Sequence, residues 1–306
     1  MKTSVKCLCV LSSIGWSIVF SGCAAEKTAS PKSIQYQVAL ERQVQVVLGS
    51  SAPQKMTEYL DLIMDCQPLE QPAGLASYEI TFRSIQAKRV DFVQTGKFAD
   101  SAAGLAGKSF TVTVAADGKV ASPQLEQELK RLSADSFDPV KKVNARLKNA
   151  DFLADIWSIQ TVVFESASAW KNTKAGHSFQ TSCQQVWPIA NTPCPAAATV
   201  WRREKGDDGD IILKAVDRLS DRPAVNPIPM IYSGDFKMEG LLGYLRNCKI
   251  ESLDGQIICR MDRGLVLPVT IVSEQAISAT AAYTLTQDDP HSEMTVKELL
   301  KITAIK

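Results

Sequence analysis

From residue 34 the chain alternates. Ile34, Tyr36, Val38, Leu40, Val44, Val46 and Leu48 fall on one face, and Gln35, Gln37, Glu41, Gln43 and Gln45 on the other. A period of two sustained this long predicts a β-strand with one dry side. At ~3.3 Å per residue the strand would run about 50 Å, well beyond the usual length, so a bend or bulge is expected. Arg42 intrudes on the apolar face and marks the expected place. It reads as a bulge or rim residue, with ligand contact as the alternative.

The same period returns at Leu60, Leu62 and Met64, at Tyr78, Ile80 and Phe82, and at Phe110, Val112 and Val114, the last ending at an Asp117-Gly118 turn. The period then lengthens. Ser122-Pro123 starts a helix with Leu125, Leu129 and Leu132 on one stripe. Asp138-Pro139 opens a second, with Val140, Val143 and Leu147 inward and Lys141, Lys142, Arg146 and Lys148 on a solvated face. A third segment groups Leu153, Ile156 and Trp157. Strands are predicted again over 178–187, 198–204, 210–217, 241–250, 256–262, 264–272, 276–287 and 293–305. In 276–287 the buried side is Ile277, Ala279, Ala281, Tyr283 and Leu285. The expected fold class is therefore α+β and β-dominated. Long curved antiparallel strands form an open sheet, half-barrel or barrel, with a helical insertion near 123–160.

The start of the chain has a different character. Lys2 and Lys6 precede an apolar stretch from Cys7 to Phe20, and the small residues Ser21 and Gly22 lead into Cys23. The apolar stretch is shorter than the about twenty residues of a membrane span. It has the layout of an export signal. The pattern Val19-Phe20-Ser21-Gly22-Cys23 resembles the lipobox of bacterial lipoproteins, with Phe20 in place of the usual Leu. That resemblance implies removal of 1–22, lipid modification (palmitate among the acyl chains) of Cys23, and membrane anchoring through it. Ala24, where lipoproteins retained at an inner membrane often carry Asp, favours the outer membrane, facing the periplasm. The expected organisation is a signal peptide over 1–22, an anchor and tether over 23–33, an N-terminal β unit over 34–122, the helical insertion over 123–165 and a C-terminal β unit over 166–306. Gly107-Lys108-Ser109-Phe110 recurs as Gly176-His177-Ser178-Phe179, which makes a duplicated β-unit one reading. The segment from Gly107 to Val120 also resembles a recurring β-unit of uncharacterised exported bacterial lipoproteins, a resemblance that implies no activity.

Charge and cysteine content narrow the picture further. The chain has 34 basic and 33 acidic side chains; without Lys2 and Lys6 the balance is 32 against 33, a net charge of −1. No basic field for nucleic acid exists. Beyond Cys23 the cysteines are Cys66, Cys183, Cys194, Cys248 and Cys259, with no C-x-x-C. In an oxidising envelope they allow two disulfides and one free thiol. The candidates are Cys183–Cys194, around a loop with Pro188 and Pro193, and Cys248–Cys259, across a hairpin at Ser252-Leu253-Asp254-Gly255. The second depends on strand register. Cys66 remains as a buried small hydrophobe.

No motif nominates a catalytic, cofactor or metal site. Ala102–Ser109 imitates a phosphate-binding loop, but the residues after it alternate as a strand where that loop must enter a helix. His177 and His291 lack a partner signature, and Asp207, Asp208 and Asp210 have hairpin-turn rather than calcium-loop spacing. Trp157, Trp170, Trp187 and Trp201 read as core. Three functions remain. A carrier of an apolar or amphipathic ligand needs an apolar concavity, whereas a structural or assembly partner of envelope proteins needs an exposed patch or free sheet edge. An envelope hydrolase needs clustered polar groups with shifted pKa values in a cleft.

Overall fold

The computed structural model describes residues 33–48, 50, 52–69, 76–91, 101–135, 148–174, 177–182, 197–205, 211–219, 245–261, 267–283 and 292–305. In chain order the elements are β1 (Ile34–Leu48), β2 (Gln54–Leu69), β3 (Ala76–Asp91), β4 (Ser109–Val114) and β5 (Val120–Ala121). Then come helices α1 (Pro123–Asp135) and α2 (Lys148–Asn172). The rest is β6 (Ser178–Ser182), β7 (Ala197–Lys205), β8 (Ile211–Leu219), β9 (Leu245–Met261), β10 (Pro268–Tyr283) and β11 (Ser292–Ile305). These strands form one antiparallel sheet in the order β5-β4-β3-β2-β1-β11-β10-β9-β8-β7-β6. The two expected β units are thus joined in mid-sheet, where β1 pairs with β11.

The alternation in β1 sorts as its pattern requires. Ile34, Tyr36, Val38, Leu40, Val44 and Val46 are buried, while Gln35, Gln37 and Gln43 are exposed. The matching faces of β2, β3, β4, β10 and β11 complete one apolar surface, including Leu60, Leu62, Ile80, Phe82, Val112, Ile271, Ile277, Val296 and Ile302. Buried Tyr36 keeps its hydroxyl satisfied by donating to the Pro268 carbonyl at 2.5 Å.

Eleven strands laid flat would span about 48 Å at the usual ~4.8 Å spacing. Here the two margins meet. Gly118, in the turn between β4 and β5, has φ +87°, and a Cβ added there would lie 3.1 Å from Thr181 and 3.7 Å from Phe179. Both belong to β6, at the opposite edge of the sheet. The sheet therefore curls on itself around an apolar interior, and the chain crosses from one margin to the other through the helices. α1 is an ordinary surface helix. Leu125, Leu129 and Leu132 are buried along one stripe, with Gln124, Gln127 and Arg131 exposed. α2 lies inside, where Phe164 stacks on Tyr78 of β3 with ring centroids 4.7 Å apart. Phe152, Leu153, Asp155, Ile156, Trp157 and every residue from Ile159 to Ala169 are buried, so over 159–169 this helix is enclosed on all faces.

Several expectations are corrected. β1 keeps an unbroken register with both neighbours through Arg42, so there is no bulge there; ion pairing, described below, satisfies the charge instead. The hairpin expected at 252–255 does not form. β9 runs straight through it, with Leu253 opposite Ile277 and Gly255 opposite Gln275. Pairing on both sides of β9 outweighs the local turn preference of Asp254-Gly255. The strands expected over 264–272 and 276–287 are one strand, β10, because continuous pairing with β11 spans the gap between them. α2 continues to Asn172, past the expected limit of the insertion at 165. The helix expected after Asp138-Pro139 lies outside the described residues.

Candidate functional site: a polar row across the inner face

Arg42 is 2% exposed and points from β1 into the interior. Its cross-strand neighbours on that face are Glu58 of β2 and Glu298 of β11. Nη1 donates to Glu58 Oε2 at 2.9 Å, and Nε donates to Glu298 Oε2 at 3.0 Å. Nη2 reaches Glu298 at 2.9 Å and also donates to Oδ1 of Asp155, brought in by α2. One guanidinium thus holds three carboxylates from three elements. Side-chain exposure is 1% for Glu58, 6% for Asp155 and 16% for Glu298.

The row extends across the sheet. Gln275 of β10 is paired opposite Glu298, Gly255 of β9 opposite Gln275, and Asp217 of β8 opposite Gly255. Thr199 of β7 and Thr181 of β6 complete the register. Thr181 is buried and accepts a hydrogen bond from Trp201 Nε1 at 3.0 Å. Polar side chains at Arg42, Glu58, Glu298, Gln275, Thr199 and Thr181, with Gly255 among them, therefore follow one register line across an otherwise apolar surface. Leu40, Leu60 and Leu300 flank it on one side, and Val44 and Val296 on the other.

Burial and charge excess shape the electrostatics. Burial works against the Arg42 charge, but Asp155, Glu298 and Glu58 together raise its pKa well above the ordinary value. Asp155 moves oppositely to a normal ion-paired acid. Burial first, then repulsion from Glu298 and Glu58, outweighs the pull of Arg42 and pushes its carboxyl up to about 7. Its second oxygen, Oδ2, has no hydrogen-bond partner.

The unsatisfied groups continue along α2. Trp157 Nε1, both amide atoms of Gln160 and the Thr161 hydroxyl are buried without a partner. On the β9 side, Ser166 comes within hydrogen-bonding reach of the Cys259 thiol, which burial pushes up to about 12. A core helix normally has its polar atoms paired, since each orphan costs roughly 1–3 kcal/mol.

The sequence-predicted positions fare unevenly. Cys23, Cys183, Cys194, His291, Trp187 and Asp207, Asp208 and Asp210 lie outside the described residues. Cys259 is buried and free. It cannot meet Cys248, because the two sit on one extended strand, eleven residues or about 36 Å apart, whereas a disulfide needs Cα atoms within ~7 Å. Cys66 is also buried and free, its thiol raised by burial. His177 is exposed just ahead of β6. Trp157 and Trp201 are core, and half-buried Trp170 carries the Arg203 guanidinium 3.8 Å from its ring centre. Lys108 opens β4 after Gly107, whose φ is +77°, and pairs with Glu128 of α1. The loop leads into a strand and its lysine is spoken for, so the geometry is not that of a phosphate cradle.

The polar row escaped the sequence reading although each part left a mark. Arg42, Glu58 and Glu298 each interrupt an apolar alternation, between Leu40 and Val44, Met56 and Leu60, and Val296 and Leu300. One charge per strand on the dry face is the signal. Only the register shows that the three adjoin.

A depression of about 470 Å³ is lined by outer-face residues such as Glu41, Asp254, Glu274 and Lys297 and also by Gln275 and Glu298 of the row. Among the described residues no His, Cys, Asp and Glu group could hold a metal ion, and no helix is long and apolar enough to cross a membrane.

No family model and no curated protein matches the sequence. Two solved structures are similar over most of its length. One is lipovitellin, described for its lipid–protein interactions, at 9% identity and TM-score 0.48; the match covers 90% of this chain and 25% of that one. The other is a DUF1329 family protein from Desulfovibrio piger, at 7% identity and TM-score 0.14, covering 89% of this chain and 85% of that one. The chain thus spans a quarter of the lipovitellin chain. Likeness at these levels carries no argument about what this protein binds.

Proposed function

We propose that this is a non-catalytic, lipid-anchored envelope protein that takes up an apolar or amphipathic ligand against the inner face of its curled sheet, in space that α2 fills when no ligand is bound. One observation carries the reading: α2 is buried through most of its described length yet leaves Asp155 Oδ2, Trp157 Nε1, the Gln160 amide and the Thr161 hydroxyl without partners. At roughly 1–3 kcal/mol each, these groups make the helix a poorly satisfied occupant of an apolar seat. A ligand that replaces it regains the apolar contacts, and the helix regains water for its polar atoms.

A second reading has its own support. The interior is filled by α2, which suits a permanent core and a structural or assembly role for the protein. A cysteine lock separates the two. Ser166→Cys sets a second sulfur against the free Cys259 thiol, so that oxidation would tether α2 to β9. Fluorescence of the neutral apolar dye N-phenyl-1-naphthylamine, titrated into the full chain, should show saturable binding that the oxidised lock abolishes and reductant restores. Saturable binding that survives a confirmed lock places the ligand elsewhere. A wild-type chain that fails to bind this dye and membrane-extracted lipids alike leaves the assembly role.

The anchor is part of the proposal. It is supported by the basic, apolar and small-residue run into Cys23 and by the polar tether of 24–33. Intact-mass analysis of the membrane fraction should find a mature chain beginning at diacylated or triacylated Cys23. An unmodified N-terminus at another residue refutes it. Separation of the two membranes tests an outer-membrane location in a cell that has one.

A further inference from the structure

We infer that the seat of Asp155 beside Arg42 is a head-group subsite for a ligand with a long apolar tail and one carboxylic acid, and that Asp155 on α2 is an internal stand-in for that acid. The inference rests on the proposed function and adds the chemical class of ligand.

Three observations lead to it. First, the inner face is apolar on both sides of the polar row, and Arg42 is a buried cation within it. Second, α2 imitates an amphiphile. Around Asp155 it presents Phe152, Ile156, Ile159 and Val163, all buried, and the Asp155 carboxylate among them meets Arg42 Nη2. Third, when α2 withdraws, Glu58 keeps Nη1 and Glu298 keeps Nε and its contact with Nη2, so what the guanidinium loses is the Asp155 acceptor on Nη2. That one position calls for an acceptor at the head of an apolar chain.

The neighbours decide which acceptor. Glu58 and Glu298 already place two carboxylates on one guanidinium, so a third permanent anion is repelled. Asp155 shows the consequence: in this seat a carboxyl is held near 7, able to bind as acid or as anion. The groups facing it are Arg42 from β1, Glu298 from β11 and Glu58 from β2. A carboxylic acid can take up a proton here, whereas a phosphate ester stays charged at neutral pH. The fit is to a fatty-acid-like head.

The test compares cis-parinaric acid with its methyl ester, which share a tail, in fluorescence titrations of the full chain. In the wild type the acid should bind about tenfold more tightly than the ester, the scale of one charge-assisted hydrogen bond, because Asp155 leaves the seat when either ligand displaces α2. Asp155→Asn should keep that preference, since the residue is out of the seat in the bound state, whereas Arg42→Gln should erase it. Lauric acid should compete better than dodecyl phosphate. Equal binding of acid and ester by the wild type, a preference that survives Arg42→Gln, or dodecyl phosphate competing as well as lauric acid would overturn the head-group inference while leaving groove binding intact. Loss of all binding in every form, the wild type included, would remove the proposed function as well.

Discussion

Two charged clusters tie helices to this sheet, and they behave oppositely. On the surface, Glu128 of α1 binds Lys108 and Arg131, with Lys108 40% and Arg131 51% exposed. Hydrogen bonding from Arg131, helped by Lys108, lowers the Glu128 carboxyl to about 2. Inside, Asp155 of α2 binds Arg42, yet its carboxyl rises to about 7. Acid and cation are of the same kind in both places. Surroundings make the difference: two cations meet one acid near the surface, whereas three acids converge on Arg42 in the interior. A carboxylate–arginine contact is therefore no measure of stabilisation until burial and the count of charges are known.

The contrast breaks most visibly at Arg42. Arg42→Met removes the cation shared by Glu58, Asp155 and Glu298, and denaturant unfolding should show a loss of about 3–5 kcal/mol. A loss under ~1 kcal/mol would mean that water reaches the cluster and that its burial is illusory.

Next in size is the other unsatisfied part of α2. Gln160→Leu removes two unpaired amide atoms at similar volume, and should stabilise the fold by about 1–2 kcal/mol while weakening dye binding, since the helix then fits its seat better. Destabilisation would show that the amide is satisfied in solution.

Acidity separates the clusters by sign. Asp155 has a folded-state pKa raised from 3.8 to about 7, so its contribution is fully present below about pH 4 and is lost as pH rises toward 7. Glu128 has a pKa lowered from 4.5 to about 2, so its contribution is present above about pH 4.5 and is lost as pH falls toward 2. Thermal unfolding across this range should show wild type losing stability relative to Asp155→Asn between pH 4 and 7. Glu128→Gln should instead diverge from wild type at neutral pH and converge with it on acidification. Parallel pH profiles for wild type and Asp155→Asn would remove the charge excess from the interior. The smallest effect belongs to Lys108→Ala, an exposed pair worth under ~1 kcal/mol, with fold and dye binding unchanged. Lys108-dependent nucleotide binding in calorimetry would revive the phosphate-loop reading rejected on geometry.

What could be read in advance followed the reach of each signal. The period-two run of β1 and the leucine stripe of α1 are local, and both faces came out as their patterns require. Asp254-Gly255 is equally local but misleading, because β10 pairs with β9 through both residues, β8 joins at Gly255, and together they hold it extended. α2 gave a weak helical pattern for a physical reason: a helix enclosed on every side has no polar face to set the period.

The sequence alone determined which side of each well-patterned strand is dry, because side-chain direction alternates with backbone geometry and needs no partner. It also placed Arg42 on the dry face of β1. Only the tertiary structure made it part of a site. Strand register set Glu58 and Glu298 beside it, the curl of the sheet gave them an interior, and the crossing of α2 brought Asp155 to Arg42 from 113 residues away in the chain. Pairing, curvature and crossing depend on many residues at once, and no single stretch of sequence encodes them.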